Sequence, residues 1–279
     1  VSDVRSRDIA AGGHGAPLAS VIDVLLLAPP PGTVRGALNL GGISNVTVLA
    51  EGREPVAFDI GPANALMDVF VHALTGGEES FDRDGALAAR GKPDTYLVDR
   101  LLDDPYFSLP PPKSTGKEYF NFGYVSSRLP EGREITPEDL LASLTVASAE
   151  MVAMALRPYD LDDLVVAGGG TRNPTLMGQL QARLPGVPVR RIDELGVPEE
   201  AKEALVFAVI GFLTLSGITA TIASCTGAAR PSVLGSITPG AGPLPVPTVP
   251  PAGARVCPTR LRVRTPLRRG APSQMDGPR

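Results

Sequence analysis

The chain has no tryptophan, two histidines and two cysteines in 279 residues. Cys225 and Cys257 lie in unrelated contexts, which supports neither a disulfide framework nor a cysteine metal site, and a reducing cytoplasm is the expected setting. His14 and His72 are far apart and have no partner at ligand spacing, so no metal site is expected. No stretch approaches a membrane span, because the longest apolar run, residues 21–31, is broken by Asp23 and ends in prolines. The beginning of the chain lacks a basic region followed by an apolar one, so no signal peptide is visible. Neither the P-loop spacing GxxxxGK[ST] nor the dinucleotide fingerprint GxGxxG occurs. The 26 basic and 30 acidic residues give a net charge of -4, which invites neither nucleic acid nor an anionic membrane and suits small polar substrates.

What the chain does contain is enough apolar sequence for one or two domains, 43% of residues being hydrophobic. Residues 36–49 (GALNLGGISNVTVL) read as a strand, a Gly-Gly turn and a second strand. Residues 57–60 form a third short strand, and the apolar spacing of Leu66, Met67, Val69, Phe70 and Leu74 predicts a helix over 64–74. The stretch 82–126 reads as loop-rich. Thr136 caps a long helix reaching about Leu156, with acids in its first turn. A buried strand over 164–167 runs into three glycines, followed by helices over about 174–184 and 198–215. Alternating strands and helices predict the α/β class. From about Gly240 a Pro/Arg-rich composition predicts a disordered tail.

Several constellations carry chemistry. In FDIGPAN (58–64), Asp59 ends a strand before a turn and a helix N-terminus, a placement that suits a base beside a phosphate, or a helix cap. In VVAGGGTRNP (165–174), glycines between a strand and a helix let a ligand approach the backbone, or simply make a turn. The segment KSTGKEYFN (113–121) offers cations, hydroxyls and an amide to a polar ligand or an oligomer contact. In RSRDIAAGGHGAPL (5–18), Arg7 and Asp8 precede a Gly-rich segment, and an Arg can grip a carboxylate. Glu203, just before an apolar run, fits the solvent edge of a buried helix.

Taken in order, RSRDIAAGGHGAPL, LNLGGISNVTVL, FDIGPANALMD, PPKSTGKEYFN, VVAGGGTRNPTLM, EEAKEALVFA, SCTGA and VLGSITPG resemble the successive motifs of the anhydro-N-acetylmuramic acid kinases, of the sugar kinase and actin superfamily. The resemblance implies an actin-like ATPase fold of two ribonuclease-H-like lobes around a cleft. It also implies use of ATP and Mg²⁺ to open 1,6-anhydro-N-acetylmuramic acid with water at C1 and phosphorylate O6, a step of peptidoglycan recycling. On this reading Asp59 is the base, while Arg7, Asp8 and Asn64 face the sugar. Gly61, Gly168, Gly169, Gly170, Asn173 and Glu203 face the nucleotide. The partners are an amino sugar and ATP, with no nucleic acid or membrane, and a homodimer is possible.

The family's GxSxDG hairpin has no counterpart here, and Val1 is not an initiator Met. These features lead to the expectation of an N-terminally truncated chain with impaired activity. Residues 1–35 would be a remnant of the first lobe with the sugar-site segment, 36–240 the second lobe with the ATP-binding elements, and 241–279 a tail. Ala63 stands where the family usually has glycine, at a cost of about 1 kcal/mol if that position needs positive φ. The alternatives are an inactive sugar- or nucleotide-binding remnant, or a kinase of the same superfamily acting on another sugar.

Overall fold

A computed structural model describes residues 1–132, 134–242 and 257–263. One five-stranded sheet organises the chain, with spatial order β3-β2-β1-β4-β5. The strands β1 (Val34–Leu40), β2 (Ile43–Ala50) and β3 (Val56–Pro62) form an antiparallel meander, and β4 (Asp163–Ala167) and β5 (Val189–Arg191) run parallel, with β4 beside β1. This is the mixed sheet of ribonuclease-H type expected from the motifs. The helices among the described residues are α1 (Ser6–Ala10), α2 (Ser20–Leu26), α3 (Asn64–Leu74), α4 (Thr95–Leu102), α5 (Phe122–Ser126), α6 (Pro137–Leu156), α7 (Pro174–Arg183), α8 (Lys202–Leu215) and α9 (Ala223–Thr226).

Strand alternation divides the sheet into two chemically different faces. Leu38, Leu40, Val46, Val48, Phe58, Ile60, Leu164 and Val166 belong to the main core, which also takes in the buried sides of α3, α4, α6 and α7. Ala37, Leu49, Val165 and Ala167 alternate with them and pack under Leu27, Ile192 and Val197 on the opposite side. There Thr47 of β2 donates to Asp23 of α2 at 2.8 Å, and Lys202 of α8 pairs with the same carboxylate at 2.9 Å. A polar link buried on this face therefore fixes α2 and α8 above the strands; losing Lys202 or Asp23 would leave the other's charge without compensation.

Helix α6 is the central slab of the main core. Thr136 accepts from the Asp139 N–H at 3.1 Å and caps it as expected, with Pro137 at the first helical position. The segment Pro137–Tyr159 is long and apolar enough to cross a membrane, which corrects the expectation that no stretch approaches that length, yet most of it is buried inside the fold. The stretch 82–126 is also more ordered than its composition predicts, since it holds α4, α5 and three short 3-10 turns. Aromatic packing supplies the order: Phe120 meets Tyr106, Phe107, Tyr119 and Tyr124 with ring centroids 4.9 to 5.9 Å apart. The short, charged strand β5 was not visible in the sequence, and helix α8 starts at Lys202 after a 3-10 turn at Glu199–Ala201. Most of the Pro/Arg-rich stretch 241–279 lies outside the described residues, and the expectation of disorder there with it.

Phe120 is 1% exposed at the centre of this aromatic cluster. Phe120→Ala is expected to cost about 3 to 5 kcal/mol of unfolding free energy, the usual range for emptying a buried aromatic site. Urea titration followed by circular dichroism checks it; a loss below about 1 kcal/mol would show that the cluster does not hold the 105–124 segment in place.

Candidate active site

The register of the meander builds the site. Asn39 pairs with Asn45 across β1 and β2, and Asn45 pairs with Asp59 across β2 and β3, so three polar side chains stand in one row. All three line a cavity of about 450 Å³, together with Arg5, residues 16–19, Gly168, Gly169, Glu199, Lys202, Glu203, Val206 and Phe207. The row lies on the sheet face opposite α6, because Phe58 and Ile60 on either side of Asp59 turn into the main core. A bulge between Ser44 and Asn45 shifts the β2–β3 register just beside it.

Asp59 is held tightly. Its N–H donates to the Lys113 carbonyl at 3.0 Å and its carbonyl accepts from the Tyr106 hydroxyl at 2.6 Å. Its Oδ2 accepts from the Ser114 hydroxyl at 2.8 Å and the Thr115 N–H at 3.0 Å. Burial pushes the carboxyl above its ordinary pKa, while the Thr115 and Ser114 hydrogen bonds and the nearby His14 pull it back. The helix-capping role considered for Asp59 is not what the structure shows, since Ala63 is the N-cap residue of α3 and no side chain caps that end. Ala63 has φ -109, so no left-handed strain arises from the alanine there.

The KSTGKEYFN segment therefore serves the aspartate before it can serve any ligand. The Lys113 ammonium is buried, donates to the Tyr106 carbonyl at 3.0 Å and sits 4.4 Å from the Tyr106 ring centroid. Burial lowers its pKa. Ser114 and Thr115 were not singled out individually in the sequence; the only signal was their place in a loop with two cations. Asn39 and Asn45 were missed as well, because an asparagine on each side of a Gly-Gly turn reads as turn chemistry until strand register aligns the two.

The three glycines divide their roles. A Cβ on Gly168, whose φ is +93, would lie 2.7 Å from the Leu40 carbonyl oxygen, and one on Gly170 would lie 2.7 Å from the Leu40 Cβ. These two let the turn pack against the end of β1. Nothing lies within 4 Å of a Cβ built on Gly169, and this residue lines both the first cavity and a second one of about 400 Å³. The second cavity is also lined by Asn64, Met67, Asp68, residues 81–84, Arg172 and Asn173.

Among the residues expected at the site, Asp59, Gly168, Gly169 and Glu203 line the first cavity, and Asn64, Gly169 and Asn173 line the second. Asn64 lines the second cavity and not the one that holds Asp59, and its amide donates to the Leu40 and Gly41 carbonyls at 3.1 and 2.8 Å. Asn173 caps α7 by accepting from the Leu176 N–H at 2.9 Å. Gly61 backs onto Phe107, which a Cβ there would approach to 2.9 Å. Arg7 and Asp8 do not line either cavity. Asp8 is wholly buried and accepts from the Gly15 N–H at 2.8 Å and the Thr226 hydroxyl at 2.7 Å, so it fixes the loop that carries His14. Arg5, two positions before Arg7, is the arginine that lines the first cavity.

The family profile of anhydro-N-acetylmuramic acid kinase matches residues 1–240. The chain belongs to that family. An anhydro-N-acetylmuramic acid kinase of Streptomyces coelicolor is 54% identical over 253 residues, covering 91% of this chain and 64% of the relative. Another, of Rhodococcus erythropolis, is 49% identical over 262 residues, with 90% of this chain and 66% of the relative covered. The chain thus spans just under two thirds of the length of these relatives. Among solved structures, an activator of 2-hydroxyisocaproyl-CoA dehydratase from Clostridium difficile with bound ADPNP overlaps at a TM-score of 0.42 and 15% identity, covering 70% of this chain and 64% of that one; so loose an overlap carries no argument. Membership in the kinase family bears out the resemblance read from the eight motifs, and with it the actin-like α/β expectation.

Asp68 in the second cavity offers a test of the electrostatics. Burial raises its carboxyl to about 6, against a smaller opposing pull from Lys117. A raised carboxyl pKa favours the folded state below the unfolded value near 3.8, and that contribution is lost as pH climbs through about 6. Asp68→Asn should therefore raise Tm relative to the parent chain at pH 8 and give no such gain at pH 4. Thermal melts at the two pH values decide it; an equal shift at both would assign the effect to something other than ionisation.

Proposed function

We propose that the chain carries the water-activating and nucleotide-binding parts of an ATP-dependent kinase that opens 1,6-anhydro-N-acetylmuramic acid and phosphorylates O6, giving N-acetylmuramic acid 6-phosphate in peptidoglycan recycling. The observation that carries the reading is the cavity in which Asp59 stands in a row with Asn39 and Asn45 and which meets a second cavity at Gly169. Two adjoining cavities suit two substrates whose reacting atoms must meet.

In this scheme the sugar occupies the first cavity. Asp59 takes a proton from water as the water oxygen bonds to C1. The C1–O6 bond breaks with its electron pair going to O6, which bonds to the γ-phosphorus of ATP, and ADP leaves with the pair of the broken P–O bond. A carboxylate whose pKa is raised by burial is a stronger base than one in water, provided it stays ionised at the working pH. The amides of Asn39 and Asn45 have no hydrogen-bond partner among the described residues, which leaves them to bind sugar hydroxyls or the N-acetyl group. Arg5 takes the place proposed for Arg7 opposite the lactyl carboxylate.

ATP lies across Gly169, with its nucleoside in the second cavity between Asn64 and Asn173 and its phosphates directed to the first. The bare Gly169 and the N-terminus of α7 are the features that fit it. No group of three His, Cys, Asp or Glu among the described residues is arranged to hold a metal. In this scheme Mg²⁺ would be held mainly by phosphate oxygens and water. The ion, when bound, neutralises charge on the transferred phosphoryl group. The cytoplasm, where ATP is supplied, is the proposed location.

The test is a phosphorylation assay with ATP, Mg²⁺ and 1,6-anhydro-N-acetylmuramic acid, run on this chain and on the chain joined to an upstream GxSxDG segment, each beside Asp59→Asn. The 6-phosphate is expected from the joined form and is expected to fall by about 10²- to 10⁴-fold with Asp59→Asn, on the scale of removing a general base. A folded joined form that makes no product would overturn the kinase reading and favour a binding protein without turnover. Gly169→Ala should weaken ATP binding by isothermal titration while leaving stability unchanged. Gly168→Ala, at φ +93 and against the Leu40 carbonyl, should instead lower stability by about 1 to 3 kcal/mol. Equal effects of the two on ATP affinity alone would remove the division of roles between them.

A further inference from the structure

Asp59 has two carboxylate oxygens in unlike surroundings. Oδ2 accepts from the Ser114 hydroxyl at 2.8 Å and the Thr115 backbone at 3.0 Å. No donor among the described residues reaches Oδ1, and Asp59 lines the cavity. From this asymmetry we infer that Ser114 is a positioning residue for the proposed reaction: with the Thr115 N–H it holds Oδ2 and turns Oδ1 to the cavity as the atom that receives the proton. The inference rests on the kinase reading for its chemistry, but its geometry stands on these contacts alone.

The arrangement is built from outside the strand. The aspartate's own N–H and carbonyl are tied to Lys113 and Tyr106, so backbone and side chain are both fixed by residues 106–115. Rotation about the Asp59 side chain would break two charge-assisted hydrogen bonds at once. A proton arriving on Oδ1 weakens those bonds, because they favour the charged carboxylate; its release restores them. Burial raises the Asp59 pKa and the two donors act against it. The other charged or titratable groups facing it are His14 from the Gly-rich loop, the Tyr106 hydroxyl, Lys113, and Arg5, Glu199, Lys202 and Glu203 around the cavity.

Carboxyl ¹³C titration of Asp59 by NMR, assigned by comparison with Asp59→Asn, tests the inference without needing turnover. Ser114→Ala should move the Asp59 midpoint up by about one pH unit, the worth of one hydrogen bond to a charged group, and Ser114→Thr, which keeps the hydroxyl, should return it. In whichever of the two assayed forms turns over, Ser114→Ala should lower kcat on the order of 10- to 100-fold, shift the acid limb of the kcat profile upward, and leave KM for both substrates within about twofold. An unmoved midpoint in a folded Ser114→Ala chain overturns the inference even if the kinase reading stands. A moved midpoint in a protein that makes no product supports the positioning and rejects only the kinase reading. A loss of activity that Ser114→Thr does not restore, with the midpoint unchanged, would assign Ser114 to folding alone.

Discussion

Everything at the site depends on the pairing of β1, β2 and β3. Because side chains alternate along a strand, the register that matches Asn39 with Asn45 and Asn45 with Asp59 fixes all three on one face while Leu38, Val46 and Phe58 fill the core on the other. A slip of one residue in either pairing would turn the polar row toward α6 and the apolar row toward the cavity. The apolar side resists that slip, since it would bring buried leucine, valine and phenylalanine out to solvent. The geometry of the polar row and core packing thus require the same register.

The rest of the molecule reinforces that row from two directions. Residues 106–115 clamp Asp59 by backbone and side chain, and the aromatic cluster around Phe120 anchors that segment. From the opposite face, the Asp23, Thr47 and Lys202 link sets α2 and α8 over the strands and places Glu203 and Phe207 on the cavity wall. Asp8 contributes at one remove by tying the loop of His14 to Thr226. The family resemblance implies a sugar-facing Asp8; in this structure its carboxylate is hydrogen-bonded to Gly15 and Thr226.

The two cavities meet at the one glycine of the triplet that has space around it. Gly168 and Gly170 are required by the closeness of Leu40, whereas Gly169 presents bare backbone to both sides. A chemical reading of three adjacent glycines treats them alike; only their neighbours tell the packing positions from the open one. The same holds for the KSTGKEYFN segment, whose polar residues look available for a ligand until Asp59 and the carbonyls of 106 and 107 are seen to use them.

The sequence by itself determined the elements whose signal is local and the family to which the chain belongs. The hairpin around Gly41 and Gly42, the Thr136-capped helix and the strand entering Gly168 were legible because turn residues, caps and apolar periodicity act over a few neighbouring positions. The ordered succession of motifs marked the family and singled out Asp59. What only the tertiary structure decided was which polar groups face one another: Asn39 and Asn45 beside Asp59, Ser114 and Thr115 on its Oδ2, and Arg5 in place of Arg7 at the cavity. Those relations cross from strand to strand or span dozens of residues, and they are set by register and packing, which no local pattern encodes.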